Sequence, residues 1–213
     1  SMVWVASALD VPGIPQEEAA CRVTGGVTVQ DDLHTAHGSG QAGAPTAKLP
    51  QPWGEWTHHQ LAGPEGKFVF HAGTASAIPG TAINYIVCSD PGYCSPARPA
   101  PAKQIDFLGV GSFKNLRFAN DEFSDNVIVG ESLHYFTVHI EDLGEPGGKN
   151  GSDKNSEDCQ DGGHAGEVAD CGCPDFYRMT IHVNEDPNSA VMYEVYGYAR
   201  TGNYQIHPEV GSH

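Results

Sequence analysis

FYRMTIHVNEDPNSAVMYEVYGYA, residues 176–199, decides the fold class. Two runs rich in Tyr, Val, Ile, Met and Thr flank Asp186-Pro187-Asn188-Ser189. Pro fixes φ for a tight turn, and Asp and Asn tolerate the turn geometry that follows. Two β-prone runs around such a turn read as an antiparallel hairpin. Along FYRMTIHVNE, Arg178, Thr180, His182 and Asn184 alternate with neighbours that face the opposite way, because successive strand side chains point to opposite faces.

Working outward, similar runs recur at CRVTGGVTV (21–29), GKFVFHAG (66–73), AINYIVC (82–88), QIDFLGVGSF (104–113), LHYFTVHIED (133–142) and NYQIH (203–207). Gly or Pro interrupts nearly every window long enough for a helix, so no 3.6-residue period is sustained. Strand runs without intervening helices predict an all-β fold, an antiparallel β-sandwich or β-barrel, and argue against a parallel α/β sheet. A chain of 213 residues suits one such core. The expected organisation is an arm over 1–20, a β domain over 21–208 and a tail over 209–213. Residues 30–52, 91–103 and 144–173 lack a strand period and read as irregular. The last of these is long enough to be functional, disordered or stapled.

Eleven Lys and Arg against 27 Asp and Glu give a formal charge of −16. A field of that sign repels phosphate backbones, so nucleic acid is an unsuitable partner, while cations, neutral sugars and basic partners are favoured. No apolar run approaches the roughly 18 residues of a membrane span, so no membrane insertion is expected. Six Cys, 26 Gly and 15 Pro suit a loop-rich, secreted or cell-surface domain. Ser1-Met2 reads as an appended dipeptide, and VWVASALDV is too short and lacks the basic flank of an intact signal peptide.

CQDGGHAGEVADCGC at 159–173 brings Cys159, His164, Cys171 and Cys173 together. Four N and S ligands at short spacing match zinc in number. An oxidising compartment instead favours disulfides, and the expected fold carries this segment as a long disulfide-stapled loop. Cys88 and Cys94 enclose the turn-forming SDPGY and form a candidate small loop, although six cysteines allow fifteen pairings that sequence does not resolve. Asp153, Asn155, Glu157, Asp158 and Asp161 present alternate oxygens as calcium loops do. The sixth and twelfth positions, Asp158 and His164, are not those of an EF-hand.

Among the eleven histidines, His139 shares a strand face with Thr137 and Glu141, and His182 lies on the polar face of its own run. If the two runs are neighbours, His139, Glu141 and His182 form a two-His, one-carboxylate set for zinc or another transition metal. Asp106 and Glu141 are a candidate carboxylate pair. In QPWGEWTHHQ (51–60), Trp53 and Trp56 sit in a Pro/Gly-flanked loop or edge, where indole faces suit stacking on sugar rings. No serine-nucleophile elbow, HExxH helix, P-loop or dinucleotide fingerprint occurs.

The order CRVTGGVTV, KFVFHAG, QIDFLGVGSF, FTVHIEDLGEPG and GNYQIHP resembles a family of secreted bacterial β domains. That family has a C-x-V-T-G-G opening, a T-V-x-D-x-G-E-P-G centre and a G-G-N-I-Q-I-H ending. The resemblance spans about residues 21–208 and implies an extracellular all-β domain without a catalytic set to carry over. Two departures stand out: Lys149 to Cys173 intervene after GEPG, and the ending reads TGNYQIHP. The expected function is a secreted, non-catalytic binding or surface module, with carbohydrate as ligand and calcium as a structural ion. The alternative is a metal-dependent hydrolase or oxidoreductase acting on an extracellular polymer or ester.

Overall fold

Buried and part-exposed residues alternate along nearly every extended run of the computed structural model, which describes residues 21–46, 48–73, 79–89, 102–117, 133–143 and 173–208. Ten strands result: β1 Cys21–Gln30, β2 Thr35–Gly43, β3 Trp53–Ala62, β4 Lys67–Gly73, β5 Ala82–Ser89, β6 Gln104–Arg117, β7 Leu133–Glu141, β8 Phe176–His182, β9 Val191–Tyr198 and β10 Thr201–Pro208. They form one sheet in the order β10-β1-β2-β3-β4-β6-β7-β8-β9, with β5 also on β6. Every pairing is antiparallel, and the sheet curls into a half-barrel. β6 is long enough to hold two partners on one edge: its Gln104–Val110 half pairs with β5 and its Gly111–Arg117 half with β4. The 176–199 hairpin forms as expected, closed by the Ser189 amide donating to the Asp186 carbonyl at 3.0 Å.

Two strands lie where the sequence reads as loop. β2 falls inside the irregular 30–52 stretch, and β3 covers the tryptophan segment. β2 shows no apolar alternation because its inward positions are Ala36, Gly38, Gly40 and Ala42, kept small by the rings above them. A Cβ at Gly38 would stand 2.6 Å from the Tyr177 hydroxyl, and one at Gly40 would meet the Trp56 ring at 3.0 Å. The core they border is aromatic: Trp56, Phe70, Phe107, Phe136, Tyr177 and Tyr204 are essentially inaccessible to water.

Cys21 pairs with Cys88, 67 residues apart. The small Cys88–Cys94 loop expected from SDPGY is therefore not formed. Cys21 and Cys88 occupy buried positions on β1 and β5 and meet across the interior, where strand curvature rather than local spacing sets proximity. Cys173 is buried and also disulfide-bonded. Cys94, Cys159 and Cys171 lie outside the described residues, and so does the stapling of 144–172. Beside Cys173, Leu143, Phe176 and Tyr198 form a second, smaller apolar cluster.

The free edge of β10 is closed by side chains. Asp175 accepts from the Tyr204 amide at 2.6 Å and from the Leu143 amide at 3.0 Å, and Asp142 accepts from the Ile206 amide at 2.9 Å. Two carboxylates thus satisfy backbone donors that an edge strand would otherwise present.

Candidate functional site

Of the sequence-derived metal set, the structure brings His139 and Glu141 together and leaves His182 apart. His139 Nδ1 lies 2.7 Å from Asp106 Oδ1 and its Nε2 lies 3.0 Å from Glu141 Oε1. The register sets Arg178 opposite His139 and Thr180 opposite Thr137, so His182 falls four residues along the ladder, about 13 Å away. There its Nδ1 meets the Ser189 carbonyl at 2.8 Å. The face parity of His182 was correct, and the register, which a single sequence does not reveal, separates the residues.

Chemistry also alters the reading of this trio. A carboxylate accepts and does not donate, so a ring with one on each side must carry both protons. Burial opposes the charge on His139, but hydrogen bonds to Asp106 and Glu141 outweigh it and push the pKa up to about 9. In this arrangement the ring donates from Nδ1 to Asp106 and from Nε2 to Glu141, as an imidazolium does. Gln104 Nε2 donates to the same Glu141 oxygen at 3.2 Å, and Arg178 pairs with Glu194 through Nε at 2.7 Å. Asp106 and Glu141, the candidate carboxylate pair, are thus bridged by a cation. Among the described residues no group of three or more His, Cys, Asp or Glu is arranged to hold a metal ion. Asp153, Asn155, Glu157, Asp158, Asp161 and His164 lie outside the described residues.

The tryptophans separate. Trp56 is 1% exposed and belongs to the core, so it offers no face to a sugar. Trp53, three residues earlier and therefore on the other side of β3, is half-buried at an outward position. A Cβ at its cross-strand partner Gly43 would stand 2.6 Å from the indole Nε1 and closer still to Cε2 and Cζ2. The indole therefore lies close over Gly43, with its Nε1 buried and without a hydrogen-bond partner among the described residues.

Around Trp53 the outward positions of β1, β2, β3 and β10 are Thr, Ser, Asn, Gln, Gly and His, apart from Arg22, Glu55, Leu61 and Trp53 itself. The opposed charges of Arg22 and Glu55 cancel, so this surface is neutral in a chain of net charge −16. Histidines on it and on neighbouring β4 rest on threonines of adjacent strands: His37 Nδ1 is 3.2 Å from Thr28 Oγ1, His207 Nε2 is 3.0 Å from Thr24 Oγ1, and His71 Nδ1 of β4 is 3.1 Å from Thr57 Oγ1. His59 stands directly opposite His37. Burial first, and then His59, hold the His37 pKa below 6.5; burial and Arg22 do the same for His207. Both shifts favour the neutral ring in His37 and His207, in which one nitrogen accepts and the other donates.

A polar chain that sequence inspection missed crosses the interior. Trp56 Nε1 donates to the Tyr177 hydroxyl at 3.3 Å, which lies 3.0 Å from His58 Nδ1; His58 Nε2 lies 2.9 Å from the Tyr193 hydroxyl. Tyr193 donates to Gln60 Oε1 at 2.6 Å, and Gln60 Nε2 donates to Glu65 Oε2 at 3.3 Å. Glu65 Oε2 in turn faces His34 Nε2 at 3.1 Å, and His34 Nδ1 lies 3.1 Å from both Asp31 oxygens. Because indole only donates and Gln60 Oε1 only accepts, the central protons are assigned. A neutral His58 then donates from Nε2 to Tyr193 and accepts at Nδ1 from Tyr177, whose hydroxyl also lies 3.2 Å from Met179 Sδ. His58, fully buried, is neutral: burial foremost, then His59, His37 and His34, lower its pKa to about 3. The available signal was the inward parity of His58 and Gln60 in WTHHQ, usable only once that segment is known to be a strand. The chain matches no protein-family model, no curated protein and no solved structure.

Proposed function

We propose that this protein is a secreted, non-catalytic binding module that holds a neutral carbohydrate on the outward face of β10, β1, β2 and β3. The carrying observation is the Trp53 indole laid over Gly43 at the margin of a surface of hydroxyls, amides and imidazoles whose two charges, Arg22 and Glu55, oppose each other. A flat aromatic face packs on the apolar side of a sugar ring, while the polar groups satisfy its hydroxyls. Extracellular placement is supported by the buried Cys21–Cys88 bond, since disulfides persist in oxidising compartments, and by the resemblance to secreted bacterial β domains. Any structural calcium in this reading belongs to the acidic run at 153–161.

Calorimetry against a panel of soluble neutral polysaccharides tests the reading. Binding heat is expected with at least one, and Trp53→Ala is expected to weaken that binding by about tenfold while leaving the far-ultraviolet circular dichroism unchanged. No heat with any glycan, or a Trp53→Ala variant that binds as the parent does, overturns it.

A further inference from the structure

We propose that Asp31, His34 and Glu65 form a pH-operated clasp that ties the β1–β2 hairpin to the β3–β4 hairpin and, through Gln60, to β9. His34 is 7% exposed. Its Nδ1 faces the two oxygens of Asp31 at 3.1 Å, and its Nε2 faces those of Glu65 at 3.3 and 3.1 Å. Acceptors on both sides require two ring protons, which only the imidazolium has. Loss of one proton turns one contact into a lone pair against a carboxylate, in a place where little water reaches to replace it.

The arm that opens is determined by how each carboxylate is otherwise held. Asp31 is fixed to its own turn, its Oδ1 accepting from the Leu33 amide at 2.8 Å and the His34 amide at 2.6 Å. Glu65 is held besides by the Gln60 amide, at 3.3 Å. Release of Glu65 therefore frees the β3–β4 turn and removes the acceptor that orients Gln60, whose other end receives the Tyr193 hydroxyl. The turn packs closely against both partners, since a Cβ at Gly63 would stand 2.7 Å from the His34 ring and closer still to Gln60 Nε2.

The groups facing His34 are Asp31 from its own turn, Glu65 from the β3–β4 turn, the Tyr193 ring edge-on from β9 at 5.2 Å, and neutral His58 from β3. Burial opposes protonation of His34, but hydrogen bonds to Glu65 and then Asp31 exceed it and hold the pKa above 6.5. A group whose folded pKa is raised contributes its stabilisation in full below its unfolded value and loses it as pH rises through the folded value. The clasp is shut at acidic pH and opens on the alkaline side of 6.5.

Nuclear magnetic resonance on the whole protein decides this, following the His34 ring nitrogens and the Gly63, Gly66 and Leu33 amides from about pH 5 to about pH 10. Expected are a His34 midpoint above 6.5, Gly63 and Gly66 amide shifts with the same midpoint, and a Leu33 amide that stays in place. Glu65→Gln is expected to lower the His34 midpoint by about one unit and to abolish the coupled glycine shifts. A His34 midpoint at or below 6.5, or glycine amides that ignore its titration, overturns the clasp; this wild-type readout stands even if the variant does not fold.

Discussion

His58 shows how much one buried imidazole constrains. It is inaccessible to water, bonded at both nitrogens to tyrosine hydroxyls, and neutral down to about pH 3. The unfolded chain takes up a proton near pH 6.5 and the folded chain does not until about 3, so stability falls as pH drops through that window. The ceiling on the loss is about 5 kcal/mol. Urea unfolding at pH 7 and pH 4 is expected to show a steep decline in the parent and a shallower one in His58→Gln, which has no ring to titrate. The same residue marks the limit of what its segment discloses. WGEWTHHQ yields its parity only as a strand: Trp56, His58 and Gln60 then turn inward while Trp53, Thr57 and His59 turn outward. Read as a loop, it offered both tryptophans to a sugar, and only Trp53 lies where one could stack.

At the level of strands, the legible ones are those whose inward residues are large. CRVTGGVTV, KFVFHAG, LHYFTVHIE and the 176–199 hairpin alternate bulky and polar side chains and lie within two or three residues of where the sequence set them. β2 was illegible because shape complementarity inverts the pattern there: Gly38 is a core position whose volume is filled by Tyr177, and Gly40 has a positive φ and lies tight against the β3 backbone at Glu55. Pairing of His139 with Glu141 was readable from parity within one strand, whereas the distance to His182 depended on register between strands. The edge of β10 depends on residues that carry no strand signal. Asp175 lies just before β8 and accepts two backbone donors, from Leu143 and Tyr204. Asp175→Ala leaves both without that acceptor in a buried place and is expected to cost about 2–4 kcal/mol. Hydrogen exchange should localise the damage, with the Tyr204 and Leu143 amides losing protection before those of β3 and β4. Uniform loss of protection would show that this carboxylate does not act on the edge in particular.

For the molecule as a whole, the Cys21–Cys88 bond and the single sheet of the described residues account for much of the order. The Cys21–Cys88 bond closes a loop with a sequence separation of 67, which in the chain-entropy account stabilises the fold by about 4 kcal/mol. The double variant Cys21→Ser, Cys88→Ser should lower the urea-unfolding free energy by roughly that amount while keeping the strand signature in circular dichroism. A change well below 1 kcal/mol would mean that the unfolded chain is already held compact. Charge is distributed unevenly over the same scaffold: the acidic excess leaves the Trp53 face neutral, which composition averaged over the chain conceals.

The partnership of Cys21 with Pro208 across the β1–β10 ladder has a mechanical corollary. Chain enters and leaves the sheet at neighbouring points on the same side, so tension pulling these two points apart loads the ladder one rung at a time, as a zipper, rather than all rungs in shear. β1 does not follow, because Cys88 anchors it to β5. Under stretch, β10 is the strand that peels, and the segment between the bonded cysteines adds no length.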